Sequence, residues 1–364
     1  MRSATRPALL LVLILMLGPA CGPAAAPPPA DQSAAAAQPS DDPAKVQPAG
    51  VGAAGAAATP GPPVDVVVAS PGRSLTQLPF YLGLKEGIYA DEGLNVSLVT
   101  MASPVAIAAI IDGQVGYSTS GGTTIRAAAS GRPVRLIAGG KSRPDWDLMV
   151  QPGIDTVEAL RGKRIGVQAP TGATTLLTYT LLAKYGIGQS DVEAINLQST
   201  DGILQGLVAR QVDAGPLGPP QNIIARREGL RPLLHTGDEV VLLQGGVGTS
   251  VQRLQERPAE VEAVLRGLLR STRLMQSDQA KTVDVLVDEY GMDRDVAEIV
   301  YAENVSDFVP DASASDTEIQ QEIAAEEQAI GEKLNVTVAQ VADFGPLHRA
   351  QAAVGMTPSA QLVP

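Results

Sequence analysis

Strand-like and helix-like patterns of apolar residues alternate along the chain from residue 64 to residue 235. Val64 to Ala69 is rich in Val and has the length of a buried strand, whereas Leu75 to Gly87 has the apolar spacing of a helix. The same order recurs several times. It favours an α/β fold with mainly parallel sheets, because parallel strands need crossover connections that are usually helical.

The remaining predicted elements follow the same alternation and then become helical. The predicted strands are 94–99, 115–117, 134–138, 164–167, 193–197, 212–214 and 230–235, and the predicted helices between them are 104–112, 121–130, 156–160, 172–185, 203–209 and 221–227. After Thr249 the pattern predicts helices over 258–275, 278–290, 294–302 and 316–330. In the last helix the acidic run Glu318–Glu332 is interpreted as a solvated face, with Ile319, Ile323 and Ile330 turned inward.

The first 20 residues have the pattern of an export signal. A short basic start is followed by nine large apolar residues, Leu9 to Leu17, and by small residues before Cys21. The run is too short to span a bilayer. The segment resembles a bacterial lipoprotein signal, in which the cysteine becomes the first mature residue and carries the lipid, although Gly18 stands where that pattern usually has Leu. An ordinary secreted protein with an incidental cysteine is the alternative.

Residues 21–63 are expected to be a lipidated Cys21 followed by a disordered tether. The stretch is dominated by Ala, Pro and Gly and has no aromatic residue. Such a composition buries too little apolar surface to offset the entropy lost on ordering.

Composition and charge exclude several classes of function. The formal net charge is −12, with 27 Lys+Arg and 39 Asp+Glu and no clear basic block, so we expect no nucleic-acid partner. One cysteine and two distant histidines exclude a disulfide framework and argue against a zinc or histidine-centred metal site. No G-x-S-x-G, P-loop or H-E-x-x-H motif occurs. We therefore expect that the protein has no catalytic residues, binds no cofactor and is not an enzyme.

A resemblance to a known family is carried by the segments 78–96, 112–115, 157–167, 210–214 and 219–220. They resemble the solute-binding proteins of ABC importers for nitrate, sulfonates and taurine, a group that includes relatives of thiamine-pyrimidine synthases. It implies a two-lobed, type II periplasmic-binding-protein-like fold with a ligand cleft between the lobes. Lobe 1 is expected over 64–150 and 246–356, lobe 2 over 151–245, and a tail over 357–364.

The resemblance also implies a function. The chain is expected to be a monomer, lipid-anchored to the membrane and facing the periplasm or cell exterior. There it would deliver a small solute to an ABC permease with its cytoplasmic ATPase. The solute would be a sulfonate, nitrate or similar oxyanion, or a pyrimidine-like heterocycle. A thiamine-pyrimidine-synthase-like enzyme and a ligand-sensing module of a membrane receptor are the alternatives.

Three predicted strand-to-helix loops, 70–77, 118–124 and 169–175, are rich in hydroxyl residues and glycine. In open α/β sheets, ligands bind outside the carboxyl ends of the strands, where such loops offer backbone N–H groups and hydroxyls. A hydroxyl before a helix also caps that helix, so each loop alone has a structural explanation. The candidate ligand-binding residues are Arg73, Ser74, Gln77, Ser118, Thr119, Ser120, Thr171, Thr174, Thr175 and Asp213.

Several of the charged and aromatic candidates have two interpretations. Arg73 suits either an anionic ligand or a solvated turn, and Asp213 suits either a donor-bearing ligand or a structural role at a strand edge. Lys141 and Arg143 lie near the expected crossover between the lobes. Trp146, the single Trp, is interpreted as core or hinge packing in preference to a stacking platform.

Overall fold

Two five-stranded mixed sheets with helices on their faces make up the computed structural model. It describes residues 62–141, 143–168, 173–240 and 243–357. The export signal, Cys21 and nearly all of the tether and the tail lie outside the described residues. In the described part, no helix is both long and apolar enough to cross a membrane.

The first sheet contains the first four strands of the chain and the last one. Its order is β2-β1-β3-β10-β4, with bounds β1 Val64–Ser70, β2 Leu94–Thr100, β3 Tyr117–Ser118, β4 Val134–Ala138 and β10 Val247–Ser250. Four strands run in one direction, and β10 is antiparallel to both β3 and β4.

The second sheet repeats this plan with the middle of the chain. Its order is β7-β6-β8-β5-β9, with bounds β5 Asp147–Val150, β6 Arg164–Val167, β7 Glu193–Asn196, β8 Ala214–Leu217 and β9 Arg231–His235. Here β5 is the strand that runs antiparallel to its two neighbours. The predicted α/β architecture is confirmed, and each sheet is mixed because one strand crosses over from the other half of the molecule.

Fifteen α-helices lie among the described residues. Those before the second crossover are α1 Leu78–Lys85, α2 Ile88–Asp91, α3 Ser103–Ile111, α4 Gly121–Ala129, α5 Ala173–Lys184, α6 Thr200–Val208, α7 Gln221–Arg227 and α8 Thr236–Glu239. The C-terminal ones are α9 Val251–Glu256, α10 Pro258–Ser277, α11 Gln279–Asp288, α12 Arg294–Asn304, α13 Asp316–Ile330, α14 Val338–Val341 and α15 Gly345–Ala353.

The predicted helix 75–87 is divided. Leu75–Gln77 forms a 3₁₀ turn and α1 ends at Lys85, because Gly87 adopts a left-handed φ of 71° that breaks the helix before α2. The strands β5 and β10 were not predicted. The expected boundary of lobe 1 at residue 150 also differs from the structure, in which β5 pairs with β8 and β9 of the second sheet.

Apolar layers cover both faces of each sheet. In the first sheet, Val66 and Val68 of β1 pack against α10, whereas Leu136 of β4 faces α4 and α13. In the second sheet, Val167 of β6 packs with α5 on one face, and Met149 of β5 with α6 on the other. Burial on both faces is what an α/β sheet covered by crossover helices requires.

The two crossovers between the sheets are joined at a buried lysine. The Lys141 N–H donates to the Gln244 carbonyl at 2.8 Å, which pairs the outgoing and returning chains. The Lys141 side chain is 0% exposed, and its Nζ lies 2.8 Å from Asp145 Oδ2 and 5.5 Å from the centre of the Phe308 ring. Gln244 Nε2 donates to the other Asp145 oxygen at 2.7 Å. A buried charge needs such partners to be tolerated.

Asp145→Ala should lower the free energy of unfolding by about 3–5 kcal/mol, because it leaves the Lys141 charge buried without its counter-ion. The matched control is Asp238→Ala. It removes the 3.0 Å pair between Arg143 and Asp238, whose side chains are 53% and 64% exposed, and should cost less than about 1 kcal/mol. Urea unfolding of both variants measures the difference. Equal small losses would contradict the structural role of the Lys141–Asp145 pair.

Candidate ligand-binding site

A cleft of about 300 Å³ lies between the two sheets. Most of its lining residues come from the loops that follow β1 and β3 and from the first part of α4, and the rest come from both crossovers, the β8–α7 loop and α13. The lining residues are Pro71, Ser74, Leu75, Thr76, Gln77, Thr119, Ser120, Gly121, Gly122, Thr123, Arg126, Asp145, Trp146, Gly218, Pro219, Leu243, Gln244, Gly245 and Glu322. This is the crevice at the carboxyl ends of strands where open α/β sheets bind ligands.

Gln77 organises the hydroxyl groups on the first wall of the cleft. Its side chain is 1% exposed, and its Oε1 accepts from the Ser74 N–H at 2.8 Å and the Ser74 hydroxyl at 2.9 Å. Its Nε2 donates to Thr76 Oγ1 at 2.8 Å and to Thr119 Oγ1 at 3.0 Å. Because both the oxygen and the nitrogen of its amide form hydrogen bonds, Gln77 fixes the hydroxyls of Thr76 and Thr119 at the cleft surface.

The loop after β3 brings the start of α4 to the cleft. Ser120 precedes the helix and makes no side-chain cap, since its hydroxyl lies 2.9 Å from that of Ser103. The Gly121 N–H donates to the Gly245 carbonyl at 3.0 Å, and a Cβ on Gly121 would lie 2.2 Å from that oxygen. Glycine is therefore required there for the returning crossover to approach α4.

The second sheet contributes an aromatic wall. Trp146 is half-buried, and its backbone is fixed by Thr236, whose N–H and hydroxyl both donate to the Trp146 carbonyl, at 2.8 and 2.7 Å. The indole leans on Gly218, where a Cβ would lie 2.7 Å from Trp146 Cδ1. Thr236 thus fixes the backbone of Trp146 and Gly218 supports its indole, so the ring can present a flat surface to a ligand.

The residue after Trp146 anchors this wall to the second sheet. Asp147 is 6% exposed and accepts from Asn222 Nδ2 at 2.8 Å, while its other oxygen lies 2.8 Å from His235 Nδ1. The hydrogen bond to Asp147 raises the pKa of His235 above its usual range, against the opposing effect of burial.

A single ion pair spans the remaining side of the cleft among the described residues. Arg126 of α4 pairs with Glu322 of α13, and the two side chains are 34% and 3% exposed. Burial raises the pKa of Glu322, while the Arg126 guanidinium acts in the opposite direction. The other charged residue of the lining, Asp145, is already bound to Lys141 and Gln244.

Metal binding has no support in the described part of the chain, where no three His, Cys, Asp or Glu side chains are grouped closely enough to share an ion. The cleft offers hydroxyls, amides, backbone N–H groups and an indole. Groups of these kinds are suited to hold a small polar molecule through hydrogen bonds and stacking.

Four of the predicted binding residues meet in this cleft. Ser74, Gln77, Thr119 and Ser120 all line it, although they come from two separate loops. Ser118 lies directly beneath them: it is fully buried, and its hydroxyl accepts from the Ser120 N–H at 3.1 Å. Its position supports the loop from below.

Two charged candidates lie away from the cleft lining. Arg73 is exposed, donates to the Glu289 carbonyl and lies 5.8 Å from the centre of the Tyr81 ring, so it is turned toward the C-terminal helices. Asp213 precedes β8 at the strand end opposite the cleft. It binds Arg164 through two side-chain contacts, at 3.0 and 3.1 Å, and through the Arg164 N–H at 2.9 Å. These bonds hold the pKa of Asp213 below its usual range and give it a structural role.

The third predicted loop is described only in part. Thr171 lies outside the described residues. Thr174 and Thr175 belong to the first turn of α5 and are not among the residues that line the cleft. The Thr175 hydroxyl is buried and has no hydrogen-bond partner among the described residues.

Sequence reasoning missed the two charged residues that face each other in the cleft. Arg126 received no attention, and Glu322 was assigned to a solvated helix face, which is wrong because Glu322 is 2% exposed. The inward orientation of Ile319 and Ile323 is confirmed, whereas Ile330 is 48% exposed. The available signal was the spacing: Glu322 lies three residues after the buried Ile319 and four after Glu318, so these side chains share one side of α13.

Comparison with known proteins agrees with the fold. The sequence profile described as NMT1/THI5 like matches residues 75–282, more than half of the chain. A curated relative, 4-amino-5-hydroxymethyl-2-methylpyrimidine phosphate synthase of Schizosaccharomyces pombe, is 28% identical over 142 residues, which cover 38% of this chain and 40% of that protein. The chain therefore matches less than half the length of this relative.

Solved structures of periplasmic binding proteins share the fold. The periplasmic aliphatic sulphonate binding protein SsuA of Escherichia coli superposes with a TM-score of 0.65 at 15% identity, over 77% of this chain and 92% of that one. The periplasmic nitrate-binding protein NrtA of Synechocystis PCC 6803 gives 0.63 at 12% identity, over 80% and 89%. The chain belongs to the NMT1/THI5-like family and has the fold of the solute-binding proteins of ABC importers.

Proposed function

We propose that this protein is the solute-binding component of an ABC importer and takes up a small polar solute in the cleft between its two sheets. The observation that carries the proposal is the composition of the cleft. Hydroxyls held by Gln77 on the first sheet face Trp146 on the second, so a bound solute would contact both halves of the molecule.

Contact with both halves supplies the mechanism. A ligand that touches both walls favours the arrangement in which they are close, and a permease can recognise that arrangement. Two crossovers connect the sheets, and both contribute residues to the cleft: Asp145 and Trp146 from the first, Gln244 and Gly245 from the second. A change in the angle between the sheets would therefore alter the cleft itself.

An enzymatic function is the second candidate, because the Schizosaccharomyces pombe relative is named as a synthase. The residues of the described cleft support an enzymatic function less than they support solute binding. The single cysteine, Cys21, lies outside the described residues, and the His235–Asp147 pair holds the wall beneath Trp146 and is not part of the lining.

The full-length chain, purified in detergent, should gain thermal stability with at least one member of a panel of sulfonates, nitrate, bicarbonate, pyrimidines and aromatic acids. Binding should be saturable and the solute should be recovered unchanged. Thr123→Trp should abolish the shift, because an indole at this lining position fills the cleft; Thr156→Trp, at an exposed position outside the lining, should retain it.

Two results would contradict the proposal. One is the absence of any shift across the panel in a folded protein. The other is consumption of a solute with formation of a product, which would favour the enzyme. A shift that survives Thr123→Trp would place the binding site outside the cleft.

We propose further that the protein is exported and held at the membrane by a lipid on Cys21. The support is the order of the N-terminal segments: nine large apolar residues, then small residues, the cysteine, and a stretch rich in Ala, Pro and Gly that would serve as a tether. A tether of this kind would leave the folded part free to meet a permease.

Cys21→Ala should move the protein from the membrane fraction to the soluble fraction, because one acylation site would be lost. Its affinity for the solute found above should stay within twofold of the unaltered chain, since Cys21 lies far outside the cleft-forming sequence. Fractionation followed by immunoblotting measures the distribution. Retention of the variant in the membrane fraction would show that a lipid on Cys21 is not what holds the protein at the membrane.

A further inference from the structure

The charged side chains at the cleft are already paired with one another when no ligand is bound. The lining contains Arg126, Asp145 and Glu322, and Asp145 is bound to the buried Lys141. Two cations thus stand against two carboxylates, and each cation is already paired. Among the described residues, the lining offers no unpaired cation to an anionic ligand.

The Glu322 carboxylate lies against the two groups of the cleft that would attract an anion. It pairs with Arg126 and lies against the first turn of α4, where a Cβ on Gly122 would be 2.6 Å from Glu322 Oε1. Ser120 provides no side-chain cap for this helix. The positive end of the helix and the guanidinium are the two groups that attract anions here, and both already face the Glu322 carboxylate.

We propose that Glu322 is a built-in anion of the cleft and that the solute of this protein is uncharged overall. The inference rests on the proposed function and specifies its ligand class. A sulfonate or nitrate would have to enter beside a carboxylate that is 3% exposed, and like charges in a poorly solvated site repel strongly. An uncharged solute avoids that repulsion.

The neutral groups of the lining suit such a solute. The hydroxyls of Thr76, Thr119 and Ser120 donate or accept, and the side chain of Trp146 supplies a flat apolar surface. Gln244 also lines the cleft, and its side chain there is an uncharged amide that donates to Asp145.

The test uses two probes of nearly equal shape and different charge, methanesulfonamide and methanesulfonate. Calorimetric or thermal-shift titration of the full-length unaltered chain should show weaker binding of the anion than of the neutral probe, by about tenfold or more. Glu322→Gln keeps the size of the side chain and removes its charge. This variant should bind methanesulfonate about tenfold more tightly than the unaltered chain.

Two further variants separate the local effect from net charge. Glu326→Gln makes the same charge change one turn further along α13, where Glu326 accepts from Ser130 at 2.6 Å and is not part of the lining. It should leave anion binding unchanged. Arg126→Gln added to Glu322→Gln should remove the gain, because the released guanidinium is what binds the anion.

The outcomes also separate this inference from the proposed function. If the unaltered chain binds methanesulfonate as tightly as Glu322→Gln does, or more tightly than methanesulfonamide, the inference is wrong although solute binding stands. If Glu322→Gln gains anion affinity while no solute in the panel binds the unaltered chain, the role of Glu322 as the anion of the cleft stands, whereas the proposed function fails and the ligand class falls with it. The comparison of the two probes on the unaltered chain decides the matter even where a variant does not fold.

Discussion

The buried ion pair between Lys141 and Asp145 is the constraint on which the arrangement of the two sheets depends. A fully buried ammonium is tolerated only with a close counter-ion, so the first crossover must fold back to bring Asp145 to it. Gln244 of the second crossover then binds both residues, through its backbone and its side chain. Both connections between the sheets are therefore fixed at one point, and that point forms one side of the cleft.

The inference drawn from Glu322 implies that a fold shared with binding proteins for sulfonate and nitrate is adapted in this chain to another ligand class. In this chain the C-terminal helix α13 supplies Glu322, which faces both Arg126 and the first turn of α4. One carboxylate supplied from a distant part of the chain neutralises the groups that would otherwise attract an oxyanion, and the fold itself does not change.

Local sequence signals were sufficient for most elements and for part of the site. The strand 134–138 and the helices 221–227 and 316–330 were predicted with their observed bounds, the last because Ser315 and Glu318 form a capping box. The hydroxyl-rich loops led to Ser74, Gln77, Thr119 and Ser120. Such features depend on residues that are close together in the chain, so they can be predicted from a single sequence.

The features that were missed depend on residues far apart in the chain. β5 and β10 are four-residue strands buried on both faces, so they lack the alternation of apolar and polar residues that identifies a strand. In β10, position 248 must be a glycine because a Cβ there would lie 2.2 Å from Thr124 Oγ1. Arg126 and Glu322 are separated by 196 positions and sit on ordinary amphipathic helices. Their meeting is a consequence of tertiary packing alone.

The central claim is that a small solute binds between the two sheets, and the fluorescence of Trp146 tests it most directly. The chain contains one tryptophan, and the structure places it in the cleft wall. Titration of the full-length protein with a solute that binds by calorimetry should change the intensity or wavelength of the tryptophan emission, with the same Kd as the heat signal. Calorimetric binding that leaves the Trp146 emission unchanged at saturation would contradict the account and place the site elsewhere.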